Sequence, residues 1–316
     1  MRKQENVTYI QTADQSAGRQ SPDATDTFWT SIADQSADDR SIGRILVDSG
    51  KLTVEQAEQV AALQREEGMY FGEAAKKLKL VTESDIQHAL SKQFNYPYLK
   101  VTEGIFSDEL IAAYHPFSSQ AEALRGIRSQ ILMNLPRDVC STIAVVGSNP
   151  REGRSYLAAN LAVLFGQMGK RTLLVDADLR HPRQHELFKF NSRVGLSAML
   201  AGRVKKEDLE HLPESIPFFT HLSVLGAGAV PPNPLELLAG DRLPRILREL
   251  SIYYDIILID TPAARSQSDV QPVAICAGNA LLVTRKNHTR FSDTQRLVNM
   301  LQNAQVKIVG SILNDY

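Results

Sequence analysis

Residues 147–155, Gly147-Ser148-Asn149-Pro150-Arg151-Glu152-Gly153-Arg154-Ser155, have the composition of a loop that wraps a phosphate. Two glycines let backbone approach an anion, a cation follows the second glycine, and a hydroxyl follows the cation, where it can ligate Mg2+. Tyr156 leads into "LAANLA", a run suited to a helix, so backbone N–H groups at the helix start would face the phosphate. Counted from Gly147, the loop is one residue longer than the common glycine-to-glycine spacing. Arg154 stands where such loops carry lysine, keeping the charge but replacing a compact ammonium with a planar fork.

Carboxylates that could complete such a site end two apolar runs. "LLVDADLR" supplies Asp176 and Asp178, and "IILIDTP" supplies Asp260. Ligands of parallel α/β sheets bind at the carboxyl ends of the strands, which puts these groups beside the loop. Three carboxylates at strand ends beside a phosphate loop suit Mg2+, which takes few protein oxygens and fills its shell with phosphate and water.

The elements that must hold these residues are legible as alternation. From 141 onward the apolar runs "TIAVVGS", "RTLLVDAD", "HLSVLGAG", "YDIILIDT", "NALLVT" and "KIVGSIL" alternate with helical stretches over 154–168, 183–201, 234–250, 267–275 and 291–303. Continuous apolar strands between helices predict an α/β doubly wound parallel sheet of the P-loop NTPase type. Upstream, "AEALRGIRSQILMNL" spaces Leu124, Ile127, Ile131 and Leu132 as the apolar stripe of a helix. Glu122, Arg125 and Arg128 share its polar face, where they can pair or reach a neighbouring subunit.

The front of the chain differs. Residues 1–38 are polar, repeat "ADQSA" at 13 and 33, and predict a disordered tail. "SIGRILVDSGKLTVEQAEQVAALQ" from 41 and "YFGEAAKKLKLVTESDIQHALSKQ" from 70 superpose as a repeat of period 29 residues. Each copy predicts two helices, the second capped by Thr53 or Thr82, so 39–100 is expected to be an all-helical module. Residues 99–120 read as a linker.

Basic and acidic residues nearly cancel, 35 against 36, which argues against a nucleic-acid partner or a polybasic membrane anchor. Two distant cysteines, Cys140 and Cys276, lack metal-ligand spacing and fit a reducing compartment. No apolar window predicts a membrane span, so the expected localisation is cytoplasmic, peripheral at the inner membrane through a protein partner.

Taken together, residues 115–316 resemble the bacterial tyrosine kinases of exopolysaccharide and capsule assembly. "GSNPREGRS" corresponds to Walker A, "LLVDADLR" to the Asp-x-Asp-x-Arg Walker A′ motif with Arg180, and "IILIDTP" to Walker B. Glu122-x-x-Arg125-x-x-Arg128 corresponds to the oligomerisation motif, and "GAGAVPPNPLELL" to the Pro-Pro-Asn-Pro segment. The helical repeat resembles the N-terminal domain of type II secretion ATPases of the GspE/MshE kind, which narrows the resemblance to EpsG-type chain-length-determinant kinases.

The resemblance implies ATP and Mg2+ as cofactors, nucleotide contacts along Gly147–Tyr156 and Arg180, and metal ligands Ser155, Asp178 and Asp260. It makes Asp176 the base and Arg154 a catalytic cation, and leaves Tyr316 as a candidate phosphosite. It also implies a membrane polysaccharide co-polymerase as partner and a homo-oligomer. Some relatives of the repeat bind cyclic di-GMP through an Arg-Leu-Gly opening. Here the openings are Ser41-Ile42-Gly43 and Tyr70-Phe71-Gly72, so protein docking is the expected role and the dinucleotide the alternative ligand. A nucleotide-binding scaffold and a MinD/ParA-like partitioning ATPase are the competing functions. Asn149 occupies the place of the latter group's signature lysine.

Overall fold

The computed structural model describes residues 7–9, 41–94, 99, 104–136, 139–191, 193–205, 208, 211–265 and 268–315. The chain divides into a helical unit within 13–97 and an α/β unit formed by 1–12 and 98–316. The α/β unit thus begins well before 115. The segment expected to be a linker contains the short helix Ile111–Tyr114, with Leu110, Ala112, Ala113 and Tyr114 buried in the main core. The Tyr114 hydroxyl accepts from Phe106 N at 2.7 Å, which pins the segment down.

In the helical unit the repeat becomes a structural repeat. Helices α1 (Ile42–Asp48) and α3 (Phe71–Lys77) open the two copies, and α2 (Val54–Glu67) and α4 (Glu83–Gln93) close them. Thr53 and Thr82 each form a reciprocal capping box, with Gln56 and Asp85. α1 packs on α4 and α2 on α3, so each copy covers the other's apolar face. Leu46 and Ala75, Leu52 and Val81, and Val60 and Ala89 hold corresponding places in the core.

The α/β unit is built on an eight-stranded sheet in the order β1-β8-β7-β2-β6-β3-β5-β4, parallel throughout except for the β4–β5 pair. The strands are β1 Val7–Tyr9, β2 Ser141–Gly147, β3 Thr172–Asp176, β4 Glu214–Ser215, β5 Leu222–Leu225, β6 Ile256–Asp260, β7 Asn279–Arg285 and β8 Lys307–Asn314. β1 falls within the stretch expected to be a disordered tail. Its backbone pairs with the edge of β8 at Ser311–Leu313, and the rest of 1–38 lies outside the described residues apart from this strand.

Side chains alternate across a strand, and two cores result. Ile143, Val145, Leu174, Ile256 and Leu258 face one side, with helices α5 (Ile111–Tyr114), α6 (Ser119–Asn134) and α7 (Arg154–Gln167). Ala144, Val146, Leu173, Val175, Ile257 and Ile259 face the other. That side carries α9 (Leu196–Leu200), α11 (Arg242–Leu250), α12 (Val270–Ala277) and α13 (Phe291–Asn303), while α8 (Gln184–Leu187) and α10 (Pro234–Ala239) are short connecting turns. The helices expected over 183–201 are two short ones, and the single helix expected over 234–250 breaks at Gly240. α7 is buried nearly all round, as befits a helix laid between sheet and outer helices. By the same alternation Asp176 and Asp260 project to the α7 side, where the phosphate loop sits.

Candidate active site

The loop links β2 to α7 at the carboxyl edge of the sheet, and Gly153 is the N-cap of α7 with φ +95°, a conformation natural to glycine. Arg151 adopts φ +61° without being glycine, a strained conformation. Two other segments lock the loop from behind. The backbone after β6 donates from Ala264 N and Arg265 N to the carbonyls of Gly147 and Ser148. The turn after β7 adds Arg285 Nη1 to Arg151 O at 3.2 Å and a contact of 3.0 Å between His288 Nε2 and Pro150 O.

Arg154 is part of this locking. Its Nε donates to Thr261 O at 3.0 Å, its Nη1 to Asn149 O at 2.6 Å, and Nη1 lies 3.5 Å from Glu152 Oε2. Glu152 is fully buried, and its Oε1 accepts from Asn149 Nδ2 at 3.2 Å and Thr289 Oγ1 at 2.7 Å. A Cβ at Gly147 would stand 2.4 Å from Glu152 Oε2 and 2.9 Å from Arg154 Nη1, so only glycine permits this pair. In this structure the arginine braces the loop that sequence expects it to serve as a phosphate ligand.

In front of the loop lies a cleft of about 980 Å³. Pro150, Arg151, Gly153, Arg154, Ser155, Tyr156 and Asp178 line it, as do His181, Arg183 and Arg285. Gly147, Ser148, Asn149, Glu152 and Arg180, also expected at the nucleotide, do not. Arg180 is held instead by the buried Asp269, Nε to Oδ2 at 2.7 Å.

Asp176 and Asp260 are direct neighbours in the β3–β6 register, and both are buried. Burial, and then the Asp260 charge, pushes the Asp176 carboxyl well above the ordinary carboxylate value. Burial raises Asp260 as well, against hydrogen bonds from Ser155 and Gln184. Asp176 Oδ2 accepts from Arg183 N at 2.9 Å and Gln184 N at 3.0 Å, and Oδ1 from Asp178 N at 3.2 Å. The residue expected to be the base is therefore enclosed by the turn it organises and does not line the cleft. Asp178 is half-buried and lines it. Asp260 Oδ2 accepts from Gln184 Nε2 at 2.8 Å, while its buried Oδ1 has no hydrogen-bond partner.

Sequence gave no sign of Gln184, which also donates to Ser155 O at 3.2 Å and so ties the two Walker segments together. Asn160 was equally silent. Fully buried in α7, it accepts from Ala112 N at 2.9 Å and donates to Glu109 O at 3.0 Å, fixing the wall of the cleft where Glu109 pairs with Arg183 at 2.6 Å.

The three residues expected to mediate assembly are less available than their helical spacing predicts. Glu122 is exposed and pairs with Arg125 at 2.8 Å, but Arg125 also donates to Pro116 O and Arg128 Nη1 donates inward to Leu164 O at 3.1 Å. Tyr316 lies outside the described residues.

A family model described as ParA, NUBPL iron-transfer P-loop NTPase, matches residues 138–315. The tyrosine-protein kinase YwqD of Bacillus subtilis is 34% identical over 205 residues, covering 65% of this chain and 85% of that protein. The tyrosine-protein kinase Etk of Escherichia coli is 32% identical over 206 residues, 65% of this chain but 28% of its own length. Among solved structures, the kinase domain of Escherichia coli Etk superposes with a TM-score of 0.61 at 31% identity, covering 65% of this chain and 79% of that one. The chimerical protein CapA2B2 gives 0.60 at 30%, covering 74% and 98%.

Proposed function

Because the chain belongs to the bacterial tyrosine-protein kinases, within the P-loop NTPases of the ParA group, we propose that its cleft transfers the γ-phosphoryl group of Mg·ATP to a tyrosine hydroxyl. The observation that carries this reading is the convergence of Ser155, Asp178 and Asp260 at the loop, with a buried Asp260 oxygen lacking any partner. An orphaned buried acceptor beside a hydroxyl suits a divalent cation. Mg2+ takes few protein oxygens and fills its shell with phosphate and water. Ser155 and Asp260 would hold the ion, and Asp178 would border it. Mg2+ there would neutralise charge on the β- and γ-phosphates.

The chain's own residues supply the rest. Arg151, Arg183 and Arg285 face the cleft and offset phosphate charge. Asp178, the one carboxylate of the three that lines the cleft, accepts the phenolic proton in place of Asp176. Asp176 positions Asp178 through the hydrogen bond it accepts from Asp178 N. Arg154 and Glu152 keep the loop in shape.

We further propose that the kinase acts in exopolysaccharide assembly, setting chain length as a homo-oligomer with a membrane co-polymerase. The helical unit serves as its docking module. Among the described residues no helix is long and apolar enough to cross a membrane. A second reading, a nucleotide-binding scaffold with little transfer, is favoured by the engagement of Arg154 with Thr261 O and Asn149 O. Incubation with radiolabelled Mg·ATP and a glutamate/tyrosine copolymer separates the two. Labelled copolymer supports the kinase, and binding without transfer supports the scaffold.

A further inference from the structure

One residue of the α/β unit lies outside every motif yet touches three of the residues that the motifs supply. Gln184, the first residue of α8, is fully buried. Its backbone N and that of Arg183 donate to Asp176 Oδ2, which fixes the turn after β3 and lets the side chain reach the neighbouring strand end. There its Nε2 donates to Asp260 Oδ2 at 2.8 Å and to Ser155 O at 3.2 Å. α8 is anchored in turn by Leu187 and Phe188, both buried in the main core, and by Ser107 N donating to Leu187 O at 2.8 Å.

The amide can lie only one way round. Its nitrogen offers two hydrogens, and both partners are oxygens. Turned over, the amide would set its own oxygen against a carboxylate and a carbonyl. In the orientation so fixed, Oε1 is buried without a hydrogen-bond partner, a cost that marks a residue kept for more than packing. Asp260 shows the complement, with Oδ2 engaged by Gln184 and the buried Oδ1 unpartnered. A hydrogen bond to one oxygen of a ligating carboxylate decides which oxygen it presents to a metal. We propose that Gln184 is a positioning residue of the cation site, holding Asp260 so that Oδ1 is the oxygen offered to Mg2+ and tying that carboxylate to Ser155. This role rests on the Mg·ATP site proposed above.

Calorimetric titration of the full chain with ATP, in Mg2+ and in EDTA, gives the factor by which Mg2+ tightens binding. Gln184→Met keeps the length of the side chain and removes the amide, and that factor should fall at least about tenfold, with affinity in EDTA within about twofold of wild type. In an Asp260→Asn background the same replacement should change Mg·ATP affinity by less than about twofold, because Gln184 acts through that carboxylate. Gln184→Asn, with an amide one methylene too short to bridge both oxygens, should shift the factor in the same direction by less. It carries the test if the methionine variant does not fold. An unchanged factor, equal weakening in both buffers, or losses that add in the double variant would make Gln184 a packing residue, overturning the positioning role and leaving the Mg·ATP site standing. No effect of Mg2+ on the wild type overturns both.

Discussion

Replacing Arg154 by alanine removes a brace from inside the phosphate loop, and the structure sets the size of the loss. The guanidinium satisfies Thr261 O and Asn149 O and lies 3.5 Å from a carboxylate that is fully buried. Removing one partner of a buried ion pair costs about 3 to 5 kcal/mol, because the remaining charge cannot reach water. For a domain of this size that lowers Tm by roughly 6 to 20 °C in differential scanning calorimetry. Glu152→Gln keeps an acceptor for Asn149 Nδ2 and Thr289 Oγ1 and should cost less. In the double variant no charge is stranded, so the two losses should fall short of additivity by about 1 to 3 kcal/mol. If Arg154→Ala melts with the wild type, or the cycle is additive, Arg154 does not brace the loop and its charge belongs to the phosphates.

Arg151→Gly relieves an unfavourable left-handed backbone but also removes a cation from the cleft. Stability should rise by up to about 1 kcal/mol while ATP affinity falls, and calorimetric melting and titration will show whether the two move in opposite directions. Asp260→Asn removes one of two neighbouring buried carboxylates while keeping an acceptor for Gln184. Tm should hold or rise, and Mg-dependent ATP affinity should drop at least about tenfold, or about 1.4 kcal/mol. In the helical unit, burial pushes the Asp85 carboxyl up, but hydrogen bonds from Lys51 and Thr82 outweigh it and hold the group at about 2. A depressed folded pKa gives stability that is present above the ordinary value of 3.8 and is lost as pH falls towards 2. Circular dichroism should register a loss of up to about 2 kcal/mol over that window, and Lys51→Met should flatten it.

Legibility followed the range of the interaction. Strands such as "IILID" and caps such as Thr53 depend on neighbours in sequence, and their elements form where pattern places them. The repeat was legible for the same reason, since it copies local pattern. Asp176 and Asp260 were legible as strand ends, but only the register shows them side by side, and only the turn at 178–184 shows Asp176 enclosed. Gln184 touching both Ser155 and Asp260, or Arg128 turning to Leu164 O, depends on contacts far along the chain that no motif encodes. Arg154 is legible as a cation of the loop, but its bonds to Thr261 O and Asn149 O depend on the closed fold. Glu152 was expected at the nucleotide, and only the fold shows it fully buried beside Arg154.

Calorimetric titration of the full chain with ATP, in Mg2+ and in EDTA, addresses the central claim that this loop and these carboxylates form a working Mg·ATP site. Saturable binding tighter than about 1 mM, corresponding to about −4 kcal/mol, is expected with Mg2+ and should be lost or much weakened without it. Equal affinity in both buffers, or no binding at millimolar ATP, would contradict the account.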